Sequence, residues 1–192
     1  MNIKTYLKIK VIDERGKCTY YRRYRSRSFV IGFLNEFYSN LSGQGITSKN
    51  TAGAQYTTNP GDRIAVNDGA NDSSFGILIG SGTLTPTILD YSLSILIPNG
   101  TSTGQMQYGA VNIYSPTTNT STNTGYLTVS RTFTNNSGSS VTVSEVGMAA
   151  FDGGFSGLPN QVYLILHDLL PTPITVPNGS SLTISYEIQV TT

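Results

Sequence analysis

Several residue types that support catalysis or membrane insertion are scarce in this 192-residue chain, which contains no Trp, one His and one Cys. The single cysteine, Cys18, cannot form an internal disulfide or a cysteine-based zinc site, so nothing indicates an oxidising compartment. No run of about 18 apolar residues is present, and the first residues lack the apolar segment of a signal peptide. We therefore expect neither a membrane span nor a secretory signal.

Charged residues are also few, at 12% of the chain, which is about half of the usual share. They are unevenly distributed. Residues 1–30 contain nine basic and two acidic side chains, a net charge of +7, whereas residues 31–192 contain three basic and nine acidic side chains, a net charge of −6. Such asymmetry favours an interaction arm at the basic end.

The N-terminal region has the pattern of a β-hairpin followed by a helix. Residues 3–12 alternate between apolar and basic side chains, 13–16 form a turn, and 17–24 return as a second strand. Ser28 is a candidate N-cap, and Gly43 is a stop signal. An amphipathic helix usually packs its apolar stripe on its own core, here under the hairpin; the alternative is a helix that docks onto a neighbouring chain. The stripe consists of Phe29, Val30, Phe33, Leu34, Phe37 and Leu41.

The rest of the chain is polar and strand-rich. Residues 42–62 lack periodicity, so we interpret them as a linker or extended arm between a hairpin–helix docking module (1–41) and a β-body (63–192). The body contains about eight short strand patterns separated by polar turns, and the last of them, 182–190, alternates most regularly. The prediction is a mainly β protein: an antiparallel, jelly-roll-like β-sandwich with an N-terminal hairpin and one amphipathic helix.

Two alternating runs within 126–151 flank a turn at 135–139 and predict a long hairpin. Each apolar face carries one charge. If Asn135 faces Val141 across the turn, then Arg131 faces Glu145, and we expect a cross-strand ion pair because an unpaired buried charge is costly. The alternative is a shifted register that lets one of the two charges reach water.

Candidate catalytic groups are sparse. His167 is followed by Asp168, but no Gly-x-Ser-x-Gly motif is present, and a polar residue at a strand end is the simpler interpretation. No two carboxylates stand out as a glycosidase pair. The oxygen-rich stretch 62–72 lacks EF-hand spacing, and its Asx residues also suit turns. We therefore expect no enzyme activity, no cofactor and no metal.

The basic run at 22–27 interleaves arginine with tyrosine and allows three interpretations. Docking onto an acidic protein surface is favoured. A solvated edge strand that prevents aggregation and a nucleic-acid contact are the alternatives. The residues expected to dock a partner are Arg22, Arg23, Arg25, Arg27, Phe29, Phe33 and Phe37.

Several segments carry a family resemblance. They are Ser-Phe-Gly-Ile-Leu-Ile-Gly-Ser-Gly at 74–82, Gln-Met-Gln-Tyr-Gly-Ala at 105–110, the strand-turn-strand stretch 130–138 and 141–147, and the tail segments 166–168 and 172–184. Together with the basic hairpin that leads into Arg-Ser-Phe-Val at 27–30, they resemble virion structural proteins of tailed bacteriophages and related prokaryotic viruses.

The resemblance implies a particle component without catalytic residues, located in the virion. Its partners would be other copies of itself and other virion proteins, with no membrane and with nucleic acid not favoured. A capsid-associated decoration protein comes first and a neck or tail component second. Two other classes stay open: a hydrolase, and a β-sandwich that binds host glycans by stacking on Tyr91, Tyr108, Tyr114 and Tyr163.

Overall fold

The computed structural model describes residues 2–26, 28–61, 63–153 and 159–191. Within these ranges the chain is mainly β, with antiparallel sheets and one α-helix, α1 (Ile31–Ser42). The larger sheet contains β1 (Asn2–Ile12), β2 (Cys18–Ser26), β7 (Gln107–Tyr108), β8 (Asn112–Asn119), β9 (Thr124–Thr134) and β12 (Ser181–Thr191). The second sheet contains β5 (Arg63–Ala65), β6 (Gly76–Gly80), β10 (Val141–Gly153) and β11 (Gln161–Val176), and β3 (Thr47–Lys49) pairs with β4 (Gln55–Thr57).

Both sheets contribute to one apolar core, in a sandwich-like arrangement. The period-two alternation of β1 and β12 places every second residue on the inner face. Leu7 and Ile9 of β1 and Ile184 of β12 are buried there, and Ile79 and Val146 of the second sheet belong to the same cluster. The predicted fold class, mainly β with antiparallel sheets, is therefore confirmed. In the described residues no helix has the length and apolar content needed to cross a membrane.

The N-terminal hairpin is an integral part of the larger sheet. Strand β1 pairs with β2 as predicted, but its other edge pairs with β12 from Asn2↔Thr191 to Ile12↔Ser181. The hairpin therefore does not stand apart from residues 63–192, which differs from the predicted division. The stretch that follows α1 is not purely a linker either, because it contains β3 and β4 and its Thr51 N–H donates to the Val162 carbonyl of β11.

The predicted hairpin over 126–151 is wrong, because its two strands lie in different sheets. Phe133 of β9 pairs with Leu182 of β12, whereas Val143 of β10 pairs with Ile174 of β11. Residues 135–139 do form a connection, but it joins the two sheets. The Asn135 side chain donates to two backbone carbonyls there. Alternation defines which face a residue takes, but it does not identify the partner strand.

The residues that precede helix α1 run along the edge of β11 that does not pair with β10. The His167 N–H donates to the Ser28 carbonyl (2.9 Å), and the Val30 N–H donates to the Ile165 carbonyl (3.2 Å). The N-cap is Val30 rather than the predicted Ser28, whose hydroxyl bonds to the Asp168 carboxylate instead. The predicted end at Gly43 is confirmed, since this residue adopts the left-handed conformation (φ 65°) that glycine tolerates best.

Candidate functional site

Helix α1 turns its small and polar residues toward the protein and its large apolar residues outward. Gly32, Glu36 and Ser39 are its buried residues. At Gly32 a Cβ atom would collide with the carbonyl oxygen of Leu164, so the absence of a side chain lets the helix approach β11 closely. The outer helix face is 46–72% exposed and consists of Leu34, Phe37, Tyr38 and Leu41.

This orientation corrects the expected packing of the apolar stripe under the hairpin. Phe29 is half-buried against the core, and its ring lies 4.3 Å from that of Phe33, which in turn stacks on Phe37 at 6.0 Å. The row of rings thus runs from the core to the surface. The exposed Ile88 adjoins the helix through its carbonyl, which accepts from the Ile31 N–H at 2.8 Å. Contiguous exposed apolar surface of this kind is typical of interaction sites.

The predicted docking arginines lie on β2, an edge strand of the larger sheet. Arg22 and Arg25 are exposed. Arg23 is partly engaged, because it donates to Glu187 at 3.0 Å and its guanidinium lies 3.4 Å from the centre of the Tyr6 ring. Arg27 lies outside the described residues. The arginines and the phenylalanines are held by different elements, since β2 pairs with β1 whereas α1 packs on β11.

Arg131 forms the most extensively bonded polar cluster of the described residues, and its ion-pair partner is Asp68 (3.2 Å) rather than the predicted Glu145. The fully buried guanidinium also donates to five backbone carbonyls. Burial acts against the charged form of both partners: it lowers the pKa of Arg131 and raises that of Asp68, and their attraction offsets this only in part. The accepting carbonyls belong to Gly69, Asp72, Phe75, Ile77 and Gly109.

The Arg131 cluster also explains the oxygen-rich stretch before β6. Asp68 is occupied by Arg131, and the Asp72 carboxylate accepts from the N–H and hydroxyl of Ser74. Both carboxylates therefore serve local structure, and Asp62 lies outside the described residues. Across the described residues, no three or more His, Cys, Asp and Glu side chains are grouped so that they could hold a metal ion.

Glu145 and His167 form a second cluster on the outer side of the second sheet. His167 lies between two carboxylates, with Nδ1 2.7 Å from Asp90 and Nε2 2.8 Å from Glu145. Glu145 also accepts from the N–H groups of Gly82, Ser94 and Ile95. The cluster thereby fastens the stretch 82–95 to β10 and β11.

The electrostatics of this cluster favour an imidazolium between two carboxylates. Burial alone would lower the pKa of His167, but the hydrogen bonds and charges of Glu145 and Asp90 outweigh it and raise that pKa. Burial acts to raise the pKa of Glu145, but hydrogen bonds from His167, Ile95 and Ser94 lower it to about 2. Each charge in this cluster thus has a partner of opposite charge within 2.8 Å.

The arrangement lacks the geometry of nucleophilic catalysis. Both ring nitrogens of His167 contact carboxylates, so neither is directed at a hydroxyl nucleophile. Asp168 points to the opposite face of β11, where it bonds to Ser26 and to Tyr186 of the larger sheet. The sequence could not indicate this cluster, because Asp90 and Glu145 lie 77 and 22 residues from the histidine.

The tyrosines considered for glycan stacking do not form one surface. Tyr108 and Tyr163 are buried, Tyr114 is exposed on β8, and Tyr91 lies under the Lys49 ammonium at 4.0 Å. A comparison of the chain with family models, curated proteins and solved structures gives no match. Function is therefore inferred from the geometry described above and from the sequence resemblance.

Proposed function

We propose that this chain is a non-enzymatic structural protein of a virus particle that docks onto its neighbours through the outer helix face. One observation carries the proposal: α1 buries a glutamate and a serine while it exposes Leu34, Phe37, Tyr38 and Leu41. Full burial of one such side chain contributes roughly 1.5–3 kcal/mol. The exposed apolar side chains contribute no burial free energy to the isolated chain. They contribute it only when another surface covers this face of the helix.

The particle setting is supported by the resemblance to virion proteins of tailed bacteriophages and related prokaryotic viruses. Within it, capsid decoration is the first assignment and a neck or tail position the second. A jelly-roll subtype of the sandwich belongs to the same proposal, supported by β9 and β10, which are consecutive in the chain but belong to opposite sheets.

The exposed arginines of β2 have a supporting role in this proposal. Arg22 and Arg25 lie on an edge strand, where positive charge discourages edge-to-edge aggregation and can steer the chain toward an acidic surface. Reversal of both to Glu should reduce incorporation into particles, and more strongly at low salt. Incorporation that is unaffected by the reversal would remove steering from the proposal.

The decisive experiment compares particles that carry the wild-type chain or the double variant Leu34→Gln/Phe37→Gln. Quantitative mass spectrometry of purified particles should detect the wild-type chain, with at least about tenfold less of the variant, because two central anchors are lost. Ile113→Gln is the matched control, since Ile113 is similarly exposed but lies on β8. Absence of the wild-type chain from particles, or equal incorporation of the variant, would overturn the proposal.

A further inference from the structure

Beneath α1 lies a group of buried polar side chains that the docking function does not use. We call it the Glu36 pocket and define it by Glu36 and Ser39 of the helix, Asn59 after β4, Asp152 of β10 and Tyr163 of β11. All five residues are at most 2% exposed. The five residues come from four parts of the chain: α1, the residues after β4, β10 and β11.

Most of these polar atoms have no hydrogen-bond partner among the described residues. This holds for both carboxylate oxygens of Glu36, both polar atoms of the Asn59 amide, the Ser39 hydroxyl and the Tyr163 hydroxyl. Buried polar groups in proteins are almost always paired, and each unpaired one costs about 1–3 kcal/mol. A bound ligand would supply partners to such groups.

Direct and electrostatic contacts bring the members of the pocket together. The Asn59 N–H donates to Asp152 Oδ2 at 2.8 Å. Burial, reinforced by the charge of Asp152, raises the pKa of Glu36 to about 8. Burial also raises the pKa of Tyr163, and the charges of Asp152 and Glu36 add to this effect. Glu36, Asp152 and Tyr163 are therefore close enough to influence one another electrostatically, and the Asn59 backbone contacts Asp152 directly.

We propose that the Glu36 pocket binds a hard divalent cation, with Ca²⁺ as the preferred ion. The donors are carboxylate, amide and hydroxyl oxygens, which suit Ca²⁺, whereas zinc and copper prefer nitrogen and sulfur. A cation gives partners to the Glu36 and Asn59 oxygens, which have none among the described residues. Because amide and hydroxyl groups supply part of the ligand set, the pocket forms with only two acidic side chains.

The proposed ion would join α1 to β10 and β11. Glu36 lies on the helix, Asp152 lies next to the last residue of β10, and Tyr163 is the third residue of β11. Since α1 otherwise meets β11 through its small and polar face, the ion would add stability to a weakly packed element. The inference is independent of the proposed docking function, because it concerns the buried face of the helix and not the exposed one.

The test uses the full chain, stripped with EDTA and then titrated with CaCl₂ or MgCl₂. Calorimetry should show one Ca²⁺ bound per chain, with Mg²⁺ at least about tenfold weaker. At a hundredfold excess over Kd, the unfolding temperature should rise by roughly 5–10 °C. Tb³⁺ in place of Ca²⁺ should luminesce on tyrosine excitation, because Tyr163 lies at the pocket and the chain has no Trp.

Three variants make the result specific to the pocket. Glu36→Gln should abolish the Ca²⁺-dependent rise in unfolding temperature, whereas Glu14→Gln, at an exposed acid, should leave it intact. Asn59→Asp adds a carboxylate and should tighten Ca²⁺ binding, which keeps the test valid if Glu36→Gln folds poorly. Three outcomes would each overturn the proposal: no rise in wild-type unfolding temperature with Ca²⁺, an equal rise in Glu36→Gln, or no tightening in Asn59→Asp.

Discussion

Two buried ionisable residues, Arg131 and Glu36, lie in opposite environments. Arg131 is 0% exposed and donates six hydrogen bonds to Asp68 and to backbone carbonyls. Glu36 is 2% exposed, and neither of its carboxylate oxygens has a hydrogen-bond partner among the described residues. Burial is thus nearly equal, but hydrogen bonding is extensive at one site and lacking at the other.

This difference in hydrogen bonding distinguishes a buried polar group that stabilises the fold from one that we propose binds a ligand. A fully satisfied buried charge holds its surroundings in one arrangement, as Arg131 holds the stretch 68–77 against β9. A buried charge without partners carries a desolvation cost that only a ligand or a proton relieves. Five substitutions would test this comparison and its surroundings, in order from the largest expected effect to the smallest.

Replacement of Arg131 by Ala should have the largest effect, a loss of about 3–5 kcal/mol in the free energy of unfolding, because Asp68 and five carbonyls lose their donor. Urea denaturation monitored by tyrosine fluorescence would measure it. Arg22→Ala, at an exposed position on β2, is the control and should change stability by less than about 0.5 kcal/mol. Similar losses in the two variants would contradict the structural role of the Arg131 cluster.

Gly32→Ala should cost about 1–3 kcal/mol, because the added Cβ meets the Leu164 carbonyl and pushes α1 away from β11. The better helix propensity of alanine, worth about 1 kcal/mol, is too small to compensate. Gly69→Ala is the matched control, since a Cβ atom there meets nothing within 4 Å. A stabilised Gly32→Ala variant would show that the helix is not closely seated over the Glu36 pocket.

The His167 cluster should make stability depend on pH in a defined direction. Because the folded-state pKa of His167 is raised above its ordinary value of 6.5, its contribution is fully present below pH 6.5 and is lost as the pH rises through the folded pKa. His167→Gln should flatten this decline in denaturation curves measured from pH 6 to pH 9. A wild-type stability that does not decline over this range would contradict the charged form of the cluster.

The same cluster should respond to acid with the opposite sign. The folded-state pKa of Glu145 is about 2, below its ordinary value of 4.5, so its contribution is present above pH 4.5 and is lost toward pH 2. Glu145→Gln should reduce the acid sensitivity of the unfolding free energy between these two values. An unchanged acid response in this variant would assign the effect to other carboxylates.

The outer helix face should give the smallest effect on folding. Phe37→Gln is expected to change the free energy of unfolding by no more than about 0.5 kcal/mol, since the side chain is half exposed and lies away from the core. Thermal unfolding of the isolated chain would measure it. A loss above about 2 kcal/mol would mean that Phe37 supports the fold rather than a partner contact.

Local patterns in the sequence predicted several of the elements but not β3 and β4, and they did not identify which strands pair. The alternation of β1, β2 and β12 predicts the strands, and Gly43 predicts the end of the helix. The pairing of β1 with β12 joins residues as far apart as Asn2 and Thr191, and Arg131 finds its acceptors 22 to 63 positions away. No periodicity within a short window contains that information.

The helix shows the same limit in another way. Its apolar stripe is correctly read from the sequence, yet Leu34, Phe37 and Leu41 of that stripe face outward. The reason is that Gly32 and Ser39 allow a closer approach to β11 than large side chains would. A hydrophobic pattern identifies which residues share a face of a helix. Whether that face meets the chain's own core or another molecule depends on packing that only the folded structure reveals.

The pairing of the first strand with the last has a consequence for biosynthesis. Strand β12 fills the place between β1 and β9, so the larger sheet cannot close until β12 has left the ribosome. Until then the edge of β1 and its apolar inner face stay open to other nascent chains, and contacts of such long sequence separation form slowly. Before β12 pairs with β1, the lysines that alternate along β1 disfavour aggregation, because positive charge on an unpaired strand repels other copies of the same strand.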